Sequence, residues 1–186
     1  MTIEEKINHL DAEIEQQYLE LSELRANAPA TIIKDYEFLS HDGGVVKLSE
    51  LFGERNRLVI VHNMGRQCPY CTVWADGFSD SYYRFKDKFP FWVTSKETVE
   101  RQKKNMEERN WQFPMVSSHD NQFLEELGFR KDGAVYPGLA FICKSPLGEL
   151  AFHGRHNFGP GDQFGMLWHM FDLVGLWDEK GYKKPE

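Results

Sequence analysis

Cysteine is scarce in this sequence, and long apolar runs are missing. Three cysteines among 186 residues are too few for the disulfide framework that stabilises small secreted domains. No stretch approaches the roughly 20 consecutive apolar residues that a membrane-spanning helix needs. The first residues lack the apolar segment of a secretory signal and are too acidic for a transit peptide. We therefore expect a cytoplasmic protein with no membrane partner.

An excess of basic side chains is also missing. Lysine and arginine total 22 against 29 acidic residues, which gives a formal net charge of -7 at pH 7. Nucleic acids and anionic membranes favour partners with clustered positive charge, so neither is expected to bind. The one dense basic run, at residues 101–104, precedes two glutamates and is typical of a solvated helix face.

The N-terminal residues have the spacing of a helical arm. Apolar side chains recur there mostly at steps of three and four, which predicts a helix with a narrow coiled-coil stripe. The stripe consists of Ile3, Ile7, Leu10, Ile14, Leu21 and Leu24. We predict that residues 1–28 form this arm and that residues 29–186 form one domain, because the chain is long enough for one good core. The stripe either packs on that domain or joins two copies in a homodimer.

Strand and helix patterns alternate through the rest of the chain. Short apolar runs bounded by turn residues predict strands, and apolar side chains at steps of three and four predict helices. The predicted strands lie at 57–64, at 91–95, in hairpins within 35–52 and 139–154, and, as a strand or extended loop, at 114–118. The predicted helices are one opened by residues 68–71, one at 96–110 capped by Ser95, and two more at 121–127 and 162–176. This order predicts an α/β fold with a mixed central sheet flanked by helices.

Cys68 and Cys71 lie where the central predicted strand gives way to a helix. Pro69 suits the first position of that helix, so Cys68 is placed directly before it. The unpaired N–H groups and the positive dipole at a helix N-terminus favour a thiolate. Two sulfurs one turn apart can form a disulfide with little backbone movement. We therefore predict that Cys68 attacks a substrate disulfide and that Cys71 resolves the mixed disulfide. Arg66 either stabilises the thiolate or is a solvated arginine of the turn, and we expect the solvated arginine.

The motifs around this dithiol resemble those of a known family. They are CPYC at 68–71, TVWADGF at 72–78, MVSS at 115–118 and FGPGDQFGMLWHMFDL at 158–173. Together they resemble a bacterial domain-of-unknown-function family of the thioredoxin-like superfamily, related to the alkyl hydroperoxide reductase and thiol-specific antioxidant group. Its members are described as predicted dithiol-disulfide oxidoreductases. The resemblance implies a thioredoxin-like fold and a cofactor-free enzyme that acts on a protein or low-molecular-weight disulfide. A thiol or a thioredoxin system would serve as its reductant.

The resemblance also implies a substrate-binding segment at Tyr136 and Pro137. In thioredoxin-like folds a cis-proline at the start of the corresponding strand lies against the dithiol, and the residue before it offers backbone hydrogen bonds to the substrate. We expect Pro137 to fill that place. The CPYC motif is also the glutaredoxin dithiol, and residues 135–137 are similar to those with which glutaredoxins hold glutathione.

Two positions depart from the patterns of better-known relatives. Peroxiredoxins have a threonine three residues before their peroxidatic cysteine, where this chain has Gly65, which disfavours direct peroxide reduction. Thioredoxins have a buried acid six residues before their nucleophile, where this chain has His62. That histidine is either a proton acceptor for Cys71 or an ordinary core histidine.

Three other functions remain open. A thiol peroxidase related to peroxiredoxins is one, and a non-catalytic interaction module built on the same fold is another. The third is zinc binding, in which Cys68 and Cys71 would be joined by ligands from Cys143, His153 and His156. We do not expect a metal, because two histidines three residues apart on an extended segment point to opposite faces.

Aromatic residues are concentrated near the end of the chain. The sequence has Phe164, Trp168, Phe171 and Trp177 in this region. They either line a ligand pocket near the dithiol or belong to the core, and we expect a core position.

Overall fold

The computed structural model describes residues 1–119, 121–178 and 181–182. Its helices are α1 (Ile3–Asn27), α2 (Pro69–Phe85), α3 (Val99–Arg109), α4 (Phe123–Glu126) and α5 (Met166–Leu173), with a 3-10 turn at Leu48–Glu50. Its first six strands are β1 (Thr31–Ile33), β2 (Glu37–Leu39), β3 (Val45–Lys47), β4 (Arg57–His62), β5 (Phe91–Ser95) and β6 (Met115–Ser117). The remaining strands are β7 (Arg130–Lys131), β8 (Ala134–Val135), β9 (Gly138–Lys144), β10 (Leu150–Asn157), β11 (Trp177–Asp178) and β12 (Gly181–Tyr182).

Eight of these strands form one sheet in the order β1-β10-β9-β4-β5-β6-β2-β3. The central strand β4 is rich in valine and isoleucine, as expected for a strand that is covered on both faces. β4, β5 and β6 run parallel, whereas β9 pairs antiparallel with β4 and β10 pairs antiparallel with β9. The prediction of an α/β fold with a mixed central sheet flanked by helices is confirmed.

Two hydrophobic clusters cover the two faces of this sheet. Because successive side chains of a strand point to opposite faces, Leu58 and Ile60 of β4 join one cluster and Val59 and Val61 join the other. The first cluster includes side chains of α4, and the second packs α2 and α5 against the sheet. Each large apolar side chain that is fully buried contributes about 1.5–3 kcal/mol. The second cluster is the one that holds the dithiol helix in place.

The N-terminal arm is a continuous helix, as predicted. A capping box between Thr2 and Glu5 starts α1, and none of its side chains is buried. The stripe is open to solvent, with Ile3 and Leu24 exposed by 78% and 63%, so the alternative in which the domain covers it is wrong. A hydrogen bond of 2.7 Å joins Nη2 of Arg25 to Nδ1 of His156. Among the described residues, no helix combines the length and the apolarity needed to cross a membrane.

The start of α3 differs from the prediction. Thr98 caps this helix with its side chain, which accepts a hydrogen bond from the N–H of Arg101, so the prediction of Ser95 as the cap is wrong. Ser95 ends β5 instead, and its Oγ accepts a bond of 3.2 Å from the N–H of Glu97. Two residues, Lys96 and Glu97, therefore separate the strand from the helix cap.

α5 is shorter than predicted, and five short strands were not predicted. The carboxylate of Asp162 accepts bonds of 2.8 Å from the N–H groups of Gly159 and Phe164, which form a turn where the sequence pattern indicated helix. The unpredicted strands are β1, which has three residues and pairs with β10 at one edge of the sheet, and the two-residue strands β7, β8, β11 and β12. Strands of this length leave almost no local pattern to detect.

Candidate active site at the dithiol

A tight loop joins the end of β4 to the start of α2. The N–H of Gly65 donates to Oδ1 of Asn63 at 2.7 Å, and the N–H of Cys68 donates to the carbonyl of Gly65 at 3.0 Å. Cys68 is the N-cap residue of α2, and Pro69 follows it as predicted. The loop thus places Cys68 at the N-terminus of a helix and beside the end of the central strand.

Cys68 and Cys71 are joined by a disulfide, with their Cα atoms 5.3 Å apart. The backbone N–H of Cys71 donates to the sulfur of Cys68 at 3.1 Å, so the helix terminus points a hydrogen-bond donor at that sulfur. Cys68 keeps 8% of its surface exposed and Cys71 keeps 2%. Cys68 is the outer cysteine, although it is less exposed than the sequence led us to expect.

The side chain of Glu97 fills the space beside Gly65. A Cβ atom added to Gly65 would lie 2.6 Å from Cδ of Glu97, and the φ angle of +96° is one that other residues rarely adopt. Oε2 of Glu97 accepts from Nδ2 of Asn105 at 2.9 Å, and Oε1 accepts from the N–H of Arg66 at 3.2 Å. This packing explains why glycine stands at the position where peroxiredoxins have threonine.

The guanidinium of Arg66 is directed to α3. Its Nη1 forms an ion pair with Oε2 of Glu108. The positive charge of Arg66 therefore has a carboxylate partner, which favours the interpretation of a surface arginine over that of a thiolate neighbour.

Pro137 lies near the dithiol, but its peptide bond is not the one expected. Pro137 and Cys71 line the same small cavity, whereas the bond between Tyr136 and Pro137 is trans, so the expectation of a cis-proline is wrong. The N–H of Tyr136 already donates to the carbonyl of Phe129 at 2.7 Å, because Tyr136 continues the short β7–β8 ladder. Its side chain is 43% exposed and remains accessible.

His62 lies at the end of β4 with 1% of its surface exposed. Its ring contacts that of Phe129 at 5.7 Å, and neither ring nitrogen has a hydrogen-bond partner among the described residues. Burial lowers its pKa to about 3; the backbone of Thr94 opposes this shift, and the positive charges of Lys96 and Arg130 act in the same direction as burial. An unsatisfied buried polar group costs about 1–3 kcal/mol. Like Leu58 and Ile60, His62 lies on the face of β4 that carries Phe129, whereas α2 packs on the other face.

Residues of β4 and α2 line the small cavity near Pro137. Its volume is about 10 Å³, and its lining includes His62, Asn63, Cys71 and Pro137. That volume is roughly what one water molecule needs. Nδ2 of Asn63 donates to the carbonyl of Cys71 at 3.4 Å, which ties the loop to the first turn of α2. Sequence reasoning missed Asn63 and Glu97, although an asparagine two residues before a glycine is a common turn signal.

The alternative zinc ligands do not meet at the dithiol. Cys143 pairs with Arg57 at the start of β4, whereas Gly138 pairs with His62 at its end. Five residues of strand separate these ends by roughly 16 Å. Burial raises the pKa of the Cys143 thiol. In the part of the chain that the structure describes, no three His, Cys, Asp or Glu side chains form a group that could hold a metal ion.

The expectation that His153 and His156 point to opposite faces is wrong. The pairing of β10 with β9 shifts between Phe152 and Gly154, which marks a bulge at His153. Both histidines consequently line one cavity of about 200 Å³ with Arg25.

The C-terminal aromatic residues mainly extend the core around α2. Trp168 is fully buried and packs on the rings of Tyr70 and Trp74 at 5.3 and 5.9 Å. Phe171 is partly buried in the same cluster, whereas Phe164 is 39% exposed. The expectation of a core position is thus confirmed for Trp168, and the side chain of Trp177 lies outside the described residues.

An open mixed sheet with a cysteine pair at the N-terminus of the helix that follows its central strand defines a thioredoxin-like protein. The chain belongs to the family described as "Bacterial protein of unknown function (DUF899)", whose model matches residues 3–154. The family resemblance inferred from the motifs is confirmed. No curated protein sequence matches the chain.

Solved structures of redox proteins share this fold. The chain is similar to the peroxidoxin BcpB of Mycobacterium tuberculosis, with a TM-score of 0.52 and 17% identity over 80% of this chain and 96% of that one. It is also similar to the bacterioferritin comigratory protein of Xanthomonas campestris, with a TM-score of 0.56 and 15% identity over 80% and 99% of the two chains. A thiol:disulfide interchange protein from Bacteroides sp. matches with a TM-score of 0.55 and 17% identity over 82% and 94%. At such identities the likeness shows the fold alone.

Proposed function

We propose that this protein is a thiol-disulfide oxidoreductase that works through Cys68 and Cys71. The observation that carries the proposal is the disulfide at the N-cap of α2, where the N–H of Cys71 donates to the sulfur of Cys68. Such a donor stabilises negative charge on that sulfur, and therefore favours the thiolate that disulfide exchange needs. Similar structures that include a thiol:disulfide interchange protein are consistent with this chemistry.

The reaction begins with the reduced dithiol. The Cys68 thiolate attacks one sulfur of a substrate disulfide, a new bond forms to Cys68, and the other substrate sulfur leaves as a thiolate that takes up a proton. Cys71 then loses its proton and attacks the sulfur of Cys68. This second step forms the Cys68–Cys71 disulfide and releases the remaining substrate thiol. Two electrons pass to the substrate, and a thiol or a thioredoxin system must return them.

We assign substrate contact to Tyr136 and Pro137. Pro137 lines the cavity that also touches Cys71, and Tyr136 presents an exposed ring immediately before it. Because the N–H of Tyr136 is used within the protein, the contact would involve the ring rather than that N–H. The substrate would be a protein disulfide or a low-molecular-weight disulfide.

Trapping of a mixed disulfide tests this proposal. In Cys71→Ser the second step is blocked, so incubation with oxidised glutathione or a disulfide-bonded protein should leave an adduct on Cys68, visible by mass spectrometry. Cys143→Ser is the matched control and should turn over without trapping. If Cys68 reacts with iodoacetamide at pH 7 no faster than free glutathione, and no adduct accumulates, the interaction-module alternative is favoured. Rapid oxidation of Cys68 by hydrogen peroxide would instead favour a peroxidase.

A further inference from the structure

The apolar stripe of α1 is not buried by any part of the chain that the structure describes. Ile7, Leu10 and Ile14, in the middle of the arm, are exposed by 53%, 55% and 61%. Helices in proteins gain most of their stability by packing an apolar face on a partner. The arm meets its own domain through the hydrogen bond from Arg25 to His156, and this contact leaves the stripe open. The stripe is therefore a surface for another molecule.

A seven-residue repeat runs through this stripe. Coiled coils place apolar residues at two positions of each repeat, called a and d, which form the seam between the helices. The a positions are Ile7, Ile14 and Leu21, and the d positions are Ile3, Leu10, Gln17 and Leu24. Isoleucine at a with leucine at d favours a parallel pair of helices. A seam of about three heptads is near the minimum for a coiled coil, so the association should be reversible.

We infer that α1 is a dimerisation arm, which pairs with α1 of a second copy of this chain as a parallel coiled coil in register. The charges beside the seam fit this arrangement. In a parallel pair, the residue before each a position faces the residue five places later on the other helix. Lys6 therefore faces Asp11 of the second copy, and Glu20 faces Arg25. The two-fold symmetry of the dimer doubles both attractive pairs.

An antiparallel pair is disfavoured by charge and by polarity. With the seams matched, Asp11 would face Asp11 and Glu13 would face Glu13 of the second copy, and after a shift by one heptad Glu13 would face Glu20. Each of these arrangements keeps one kind of attractive pair but adds like charges that the parallel pair avoids. Gln17 would also face an isoleucine. In the parallel pair it faces Gln17, and a polar pair in the seam fixes the register.

The charge of the arm disfavours a membrane as the occupant of the stripe. The basic residues of α1 are Lys6 and Arg25, and its acidic residues outnumber them. Helices that lie on anionic membranes instead carry lysine and arginine along their polar face. A second copy of the chain supplies both the apolar seam and the opposite charges that this surface needs.

Arg25 can serve the dimer and the domain together. Its Nη2 is 2.7 Å from Nδ1 of His156, and a guanidinium has five N–H donors in all. The remaining donors are free to pair with Glu20 of the second copy. The coiled coil therefore forms without loss of the contact that joins the arm to its domain.

Sedimentation of the reduced protein across a range of concentrations tests the inference. We expect a reversible equilibrium of monomer and dimer in the unmodified chain, and monomer alone in Ile14→Asp, which places a charge in the seam. Leu19→Asp is the matched control, because Leu19 is 58% exposed on the same helix but lies outside the seam. It should dimerise like the unmodified chain, and circular dichroism shows whether both variants keep the helix.

Charge reversal keeps the inference testable if Ile14→Asp loses its helix. Lys6→Glu turns both pairs with Asp11 into repulsions, and should raise the dissociation constant of the dimer by roughly tenfold. Addition of Asp11→Lys restores the attraction and should recover most of that loss. Neither antiparallel arrangement brings these two positions together.

An introduced cysteine reports the orientation of the helices. In Cys68→Ser/Cys71→Ser/Cys143→Ser, the further substitution Ile3→Cys puts one thiol at the start of each arm. The two thiols meet in a parallel dimer, and oxidation should join the chains. In an antiparallel dimer Ile3 faces Leu21 or lies beyond it, so at least about 27 Å of helix would separate the thiols.

A chain that stays monomeric at every concentration, or a dimer that survives Ile14→Asp, would overturn the inference. A dimer that gives no cross-link with Ile3→Cys would overturn its parallel orientation. Binding of a monomeric chain to vesicles of anionic lipid would favour a membrane as the occupant and would also overturn it. These measurements do not involve the reaction of the dithiol, so the proposed function stands or fails separately.

Discussion

Asp162 accepts a hydrogen bond from the indole of Trp74, with 3.2 Å between Oδ1 and Nε1. The bond joins the loop before α5 to the dithiol helix, one turn beyond Cys71. The same carboxylate accepts the N–H groups of Gly159 and Phe164, so a single side chain orders the loop and anchors it to α2.

Loss of this carboxylate should destabilise the protein. We expect Asp162→Ala to lower the free energy of unfolding by about 2 kcal/mol, because hydrogen bonds to a charged group contribute about 1.5–3 kcal/mol. Urea denaturation followed by tryptophan fluorescence measures the change. Asp172→Ala removes an exposed carboxylate from α5 and should change stability by no more than about 0.5 kcal/mol. Equal effects of the two substitutions would show that the Trp74 contact adds nothing.

Alanine substitutions at two glycines near the dithiol should change the stability of the protein in opposite directions. Gly65→Ala places a methyl group 2.6 Å from Glu97 at a φ of +96°, and should cost roughly 1–3 kcal/mol of stability. Gly77 lies inside α2 with no atom within 4 Å of an added Cβ, so Gly77→Ala should add about 0.5–1 kcal/mol. Thermal or urea unfolding of both variants checks the signs, and a neutral Gly65→Ala would argue against a rigid loop.

Burial of His62 predicts a specific dependence of stability on pH. The pKa of His62 is lowered to about 3, while an unfolded histidine titrates near about 6.5. The unfolded chain therefore binds a proton that the folded chain does not. The contribution of neutral His62 to the free energy of unfolding is fully present above about pH 6.5 and is lost as the pH falls towards 3. About 2 kcal/mol of it is lost between pH 7 and pH 5.

Substitution of His62 should remove this dependence. Urea unfolding at pH 7 and pH 5 should show this loss of stability in the unmodified protein and not in His62→Gln. His9→Gln replaces an exposed histidine of the arm and should leave the loss intact. If the free energy of unfolding of His62→Gln falls with pH as much as that of the unmodified protein, other titrating groups account for the pH dependence.

Replacing a leucine by alanine should lower the stability much more in the core than in the N-terminal arm. Leu58 is fully buried, and Leu58→Ala should lower the free energy of unfolding by about 2–5 kcal/mol. Leu10 is 55% exposed on α1, and Leu10→Ala should change it by less than about 0.5 kcal/mol. Where the proposed homodimer forms through the stripe, the effect of Leu10→Ala will depend on protein concentration, and sedimentation will detect the dimer in the unmodified chain alone.

The sequence predicted those elements whose signal is local. The valine-rich run of β4, the Pro69 that follows Cys68 and the spacing of apolar residues along α2 each lie within a few residues, and each prediction is confirmed. Ser95 and Thr98 are both good helix caps in isolation. The choice between them is made by tertiary contacts, because Glu97 must reach Gly65 and Asn105 from the residues between strand and helix.

The errors concern pairings between distant segments. The bulge at His153 exists because β10 pairs with β9, and no local pattern indicated it. The N–H of Tyr136 donates to the carbonyl of Phe129, because the two residues lie next to the paired strands β7 and β8. The sequence identified His62 by its position before Cys68, but could not show that its ring packs on Phe129. That contact depends on how the segment around Phe129 lies against the sheet.

The separation of Cys143 from the dithiol limits what oxidation can produce. Cysteines whose Cα atoms are more than about 7 Å apart cannot be bridged without backbone movement, and Cys143 lies at the opposite end of β4 from Cys68 and Cys71. Disulfide scrambling within one molecule is therefore blocked, and the oxidised monomer has a single covalent connectivity. Any non-reducing gel band at twice the monomer mass that survives loss of the dithiol must be cross-linked through Cys143.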